Sequence, residues 1–90
     1  MRIDELRPGL YVQLATLRGS DLYQVCAVFP QTATLQRVFS RHRGEDGRMP
    51  ARTDVAVYAA AELARMRPAS ARLVNQFEAA LDEARTQVGA

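Results

Sequence analysis

The chain contains no lysine and no tryptophan, and only one cysteine and one histidine. A single cysteine, Cys26, cannot close an internal disulfide, which excludes a disulfide-stapled scaffold. Cys26 and His42 together are too few for a tetrahedral zinc site, and no CxxC or HExxH spacing occurs. Glu45, Asp46 and Asp54 lack the spacing of a calcium loop and lie among arginines, which oppose a divalent ion. P-loop, GxGxxG and GxSxG patterns are missing as well. No apolar run approaches the roughly 18 residues that cross a bilayer, and Met1-Arg2-Ile3-Asp4-Glu5 is no apolar signal segment. These absences predict a cytoplasmic, bacterial-type protein that is not an enzyme and has no cofactor, no metal, no membrane partner and no small-molecule substrate.

What is present suits one small globular domain spanning residues 1–90. Hydrophobic residues make up 48% of the 90, a figure raised by 15 alanines, and charged residues make up 24%. That balance argues against disorder. The formal net charge is only +2, but all twelve basic residues are arginine. A GC-rich genome favours arginine and alanine together; a requirement for planar, bidentate donors toward phosphate or carboxylate would favour arginine alone. The arginines are spread along the whole chain, which favours the genomic explanation.

Residues 6–67 read as strands. Pro8-Gly9 suits the centre of a type II turn. Leu10, Val12 and Leu14 then alternate with Tyr11, Gln13 and Ala15, the period of a strand. Arg18-Gly19-Ser20-Asp21 reads as a hairpin loop and Leu22 to Phe29 as the next strand, apolar on both faces and ended by Pro30. Thr34 to Ser40 forms a third strand, Arg41 to Ala51 a polar loop, and Arg52 to Tyr58 a fourth strand with Val55 and Val57 facing one way. Residues 59–66 fit either a helical turn or a short fifth strand. Pro68 is a break, and Ser70 is a good N-cap for a helix over about 70–88. Leu73, Val74, Phe77, Ala80, Leu81, Ala84 and Val88 form its apolar stripe, and Gly89 suits its end.

The predicted fold is α+β: a small, strongly curved antiparallel sheet with one C-terminal helix. Its expected core is Leu10, Val12, Leu14, Val25, Ala27, Leu35, Phe39, Val55, Val57, Leu63, Phe77 and Leu81. Cys26, flanked by apolar residues in mid-strand, is expected as a small core filler. Element order and the opening Leu6-Arg7-Pro8-Gly9-Leu10-Tyr11-Val12 resemble SH3-like small barrels, including Tudor-like and KOW-like modules. That resemblance covers residues 6–67 and implies a binding module on a barrel. Residues Asp4 to Val12 are also similar to the opening of the small domain that precedes HD-GYP phosphodiesterases. The HD and GYP signatures are absent, so this likeness implies no activity.

Positive charge is concentrated between residues 37 and 52, where five arginines face Glu45 and Asp46. Arg37, Arg41, His42, Arg43, Arg48 and Arg52 are therefore the candidate nucleic-acid contacts, with forked guanidinium groups on phosphates. Tyr11, Tyr23 and Phe39 would add base stacking if they face outward. The bland alternative is a solvated loop in which Glu45 and Asp46 pair with arginine. The leading expectation is a non-enzymatic binding module with nucleic acid as partner. The alternative is a protein-interaction module or homodimer that uses Leu73, Phe77, Leu81 and Val88 of the helix. A small regulator, adaptor or inhibitor of the kind phages and mobile elements encode would fit that alternative.

Overall fold

The computed structural model describes residues 1–50 and 54–89, with the side chains of residues 54 and 87–89 outside the description. A 3₁₀ turn, Ile3–Glu5, opens the chain. The Glu5 carboxylate accepts from the Arg2 backbone N–H at 3.4 Å and from Arg2 Nε at 3.2 Å, and these bonds hold its pKa below the ordinary value. The expected turn follows: Leu10 N–H donates to the Arg7 carbonyl at 3.1 Å, and Gly9 takes a φ of +89°, as a type II turn requires.

Five strands form one antiparallel sheet: β1 (Tyr11–Ala15), β2 (Gly19–Val28), β3 (Thr32–His42), β4 (Asp54–Ala59) and β5 (Arg67–Pro68). A four-residue helix, α1 (Ala60–Leu63), links β4 to β5, and a long helix, α2 (Ala71–Gly89), follows. Of the two options for residues 59–66 the helical turn forms, at Ala60–Leu63, and the fifth strand lies beyond that range, at Arg67–Pro68. The sheet order is β4-β3-β2-β1-β5, so β1 to β4 make a meander and β5 returns to the free side of β1. The predicted α+β layout is present, with a sheet that is open at β4 and β5. Pro68 lies on that outer strand, where its missing N–H breaks no ladder.

Each face of the sheet carries its own apolar cluster. On one face Val12, Tyr23, Val25, Ala33 and Leu35 pack with Leu6, Leu63 and Met66, under the N-terminal segment and α1. On the other face Leu22 and Phe39 pack with Leu73 and Phe77 of α2. Two bulges make this division. Leu22 pairs with Phe39 and Tyr23 with Arg37, so Val38 is an extra residue in β3, and Phe39 turns to the α2 face although it shares parity with Leu35. Val25 pairs with Leu35 and Ala27 with Thr34, so Cys26 is the extra residue in β2.

The second bulge corrects two expectations. Cys26 is exposed rather than a core filler, and Val28, not Ala27, joins Val25 on the first cluster. Val55 and Val57 are also outside the core, at 53% and 65% exposure. They pair with Gln36 and Thr34, on the α2 face of the sheet but outside the cluster that α2 forms. Tyr58, on the opposite face, packs on the core in their place. Leu10, Leu14 and Leu81 are half-buried, whereas Leu22, Tyr23, Leu73 and Met66 are buried.

The helix begins as its sequence predicts. Ser70 Oγ accepts from Leu73 N–H at 3.2 Å, and the Gln13 side-chain oxygen accepts from Ser70 N–H at 2.9 Å, tying the cap to β1. Among the described residues no helix is long and apolar enough to cross a membrane.

Candidate nucleic-acid interface

The β1–β2 hairpin closes with Leu17 and Arg18 at its tip. Thr16 N–H donates to the Gly19 carbonyl at 2.8 Å, and Gly19 N–H donates to Thr16 Oγ1 at 3.1 Å. Gly19 is required at this point, because a Cβ there would collide with the Arg41 carbonyl and stand 2.9 Å from His42 Cα. β2 and β3 therefore approach closely at this end of the sheet, and the strand reaches His42 instead of ending at Ser40. Arg41 and His42 are strand residues, and Arg43 follows directly, its N–H donating to the Arg18 carbonyl at 2.8 Å.

The segment expected to be an aperiodic polar loop is tied down. Ser40 and Arg48 exchange backbone hydrogen bonds, both 2.8 Å, in an isolated antiparallel bridge. Gly44 takes a φ of +73°, and Gly47 sits so close to the Phe39 ring that a Cβ would lie 2.6 Å from Cε2. Met49 packs on the α2 cluster. The excursion thus folds back over Phe39 and holds the end of β3 in place.

Between this end of the sheet and the first turn of α2 lies an open groove of about 420 Å³. Arg41, His42 and Arg43 line one side and Ser70, Arg72 and Gln76 the other, with Thr16, Gly19 and Ser20 between them. Among the described residues no carboxylate lines it. Two acidic groups at this end of the sheet are engaged: Glu45 Oε2 lies 3.3 Å from His42 Nδ1, and Asp21 accepts from Ser40 Oγ at 2.7 Å. Glu45 thus pairs with histidine, not arginine. Among the described residues Arg41, Arg43, Arg48 and Arg72 make no ion pair. The start of a 19-residue helix adds its positive dipole end to this groove.

The basic surface continues around the hairpin tip. Arg18, His42, Arg43 and Glu45 line a depression on one side of Leu17, and Arg65 and Arg67 line a second depression on the other. Six arginines from four separate segments, Arg18, Arg41, Arg43, Arg65, Arg67 and Arg72, thus share one end of the molecule. Four of them are outside the basic segment singled out in the sequence. Their linear spacing carries no signal, because the fold alone brings residues 18, 43, 67 and 72 together.

The other expected contacts are placed differently. Arg37 faces away from the groove, in a separate depression with Tyr23, Val55, Ala56 and Tyr58. Arg48 is exposed but does not line the groove. Arg52 lies outside the described residues. The three aromatic candidates for base stacking are turned inward. Tyr11 packs on Phe77 and Phe39 on Phe77, at 6.0 and 5.9 Å, while Tyr23 packs on Tyr58 at 5.8 Å. Burial, reinforced by the Tyr58 and Asp21 charges, pushes the Tyr23 hydroxyl up to about 12.

The helix residues considered for a protein interface are used largely within the chain. Leu73 and Phe77 are buried and Leu81 is half-buried against the same cluster, while the side chain of Val88 lies outside the description. Among the described residues no group of three or more His, Cys, Asp or Glu side chains is placed to hold a metal ion. No family model, no curated protein and no solved structure matches this chain.

Proposed function

We propose that this chain is a non-enzymatic module that binds the phosphate backbone of nucleic acid with its arginine-rich end. One observation carries the reading: Arg18, Arg41, Arg43, Arg65, Arg67 and Arg72 converge around the hairpin tip and a groove that, among the described residues, no carboxylate lines. Guanidinium groups without acidic partners are available as bidentate donors to phosphate oxygens. Tyr11, Tyr23 and Phe39, the aromatics considered for stacking, are engaged in ring contacts within the chain, which favours duplex over single strand.

The strand order also supports the SH3-like reading of the sheet. A meander whose first strand is flanked by a short returning fifth strand, with a helical turn between the fourth and fifth, is the order expected of such a small barrel. On that reading the hairpin tip and the groove form one end of the barrel, and α2 packs on its side.

Fluorescence anisotropy of labelled duplex DNA, titrated at several salt concentrations, tests the proposal. If about four phosphates are neutralised, log K falls with log salt at a slope of about −3.6, an affinity loss of roughly 150-fold between about 50 and 200 mM. Absence of binding at the low-salt end overturns the reading.

A further inference from the structure

Among the described residues Leu17 is the most exposed large apolar one, at 100% relative exposure. It occupies a hairpin-tip position of ordinary backbone, with no positive φ, that a polar residue would fill equally well. At that exposure it packs on none of the described residues, so its side chain adds nothing to their core. The tip that carries it is held firmly by the two Thr16–Gly19 hydrogen bonds and by the bond from Arg43 N–H to the Arg18 carbonyl. Leu17 also separates two arginine-bearing depressions, with Arg18 and Arg43 on one side, beside the His42–Glu45 pair, and Arg65 and Arg67 on the other.

We infer that Leu17 is a wedge that enters the base stack of duplex DNA from the minor groove. The two arginine pairs would hold the phosphates of the two strands that border the groove. This inference rests on the phosphate-binding reading above and adds to it the duplex as partner and unstacking as the mode. An aliphatic side chain between base steps kinks the duplex, and flanking cations offset the phosphate repulsion that the kink creates. A rigid apolar tip between two cationic banks suits that task, whereas a flat basic surface would suit an undistorted helix.

The test uses short duplexes carrying aminopurine at successive positions and a dye pair on their ends, with anisotropy recorded in parallel. The wild-type chain should raise aminopurine fluorescence at one step and shorten the end-to-end distance by a bend of about 20–90°. Leu17→Ser should keep its salt slope and lose at most about ten-fold in affinity, yet lose both signals. Leu17→Met should restore them. If Leu17→Ser binds with fluorescence and bend intact, the wedge is overturned and the phosphate-binding reading stands. If the wild-type chain does not bind duplex at low salt, the phosphate-binding reading fails and the wedge with it. Phosphatidylserine vesicles give a separate arm: Leu17-dependent sedimentation with them, and no unstacking of DNA, overturns the wedge in favour of a lipid surface.

Discussion

The ring of Tyr11 on β1 meets the ring of Phe77 on α2 edge to face, with centroids 6.0 Å apart and planes at 61°. Phe77 also lies 5.9 Å from Phe39, so one helix residue bridges β1 and β3. Phe77→Ala empties the centre of the cluster shared by sheet and helix. It should cost about 3 kcal/mol or more, a large share of a small domain's stability. Chemical denaturation followed by circular dichroism checks this. A small effect would mean that α2 is not part of the cooperative unit. Truncation after Pro68 should be more severe and leave an unfolded or aggregated chain.

Arg72 and Arg85 lie on the same helix and provide a matched comparison. Arg72 lines the groove, whereas Arg85 Nη1 stands 3.9 Å from Asp82 Oδ1 at the far end. Arg72→Ala should weaken duplex binding several-fold and reduce the salt slope by about one. Arg85→Ala should leave both unchanged. Equal effects from the two would indicate diffuse attraction by net charge instead of a site.

Gly19→Ala tests the close approach of β2 to β3. The added methyl meets the Arg41 carbonyl, so the strands must part where the groove begins. A loss of roughly 1–3 kcal/mol is expected from overpacking against backbone, with weaker duplex binding because Arg41 and Arg43 shift. Thermal melting and anisotropy on the same variant measure the two effects.

Tyr23 makes stability depend on alkaline pH. Its hydroxyl titrates near 12 in the fold, against an ordinary value near 10, so the unfolded chain releases this proton first. Stability is fully present below pH 10 and falls as pH rises from about 10 to 12. Allowing for partial solvent screening, the loss over that window is roughly 1–2 kcal/mol. Denaturant midpoints measured through that window should fall for the wild type and fall less for Tyr23→Phe.

Local chemistry made several elements legible from sequence. Pro8-Gly9 specifies its turn through two residue types, and the hydroxyl of Ser70 specifies the start of α2. The stripe through Leu73 and Phe77 has one helical period and one available sheet. β5 could not be read this way, because two residues, Arg67 and Pro68, form a strand only when β1 is beside them. The exposure of Val55 and Val57 was equally hidden: alternation tells which residues share a face, not how far a helix covers it. For the basic end, residues 41 and 43 stood in a visible charge run. Arg18, Arg65, Arg67 and Arg72 became part of it only through hairpin, β5 and helix placement.

The bulges at Cys26 and Val38 act as phase shifts in a signal of period two. Between them β2 and β3 send one set of side chains to the α1 side; past Val38 the assignment is reversed, and Phe39 reaches α2. Deleting Cys26 or Val38 should therefore leave the faces unchanged, because Val25 and Ala27, or Arg37 and Phe39, already lie on opposite faces and become ordinary neighbours, whereas deleting a paired residue such as Gln24 or Gln36 transposes every later side chain of that strand. The spacing of its residues, more than their identity, is then what this sheet demands of any sequence that adopts it.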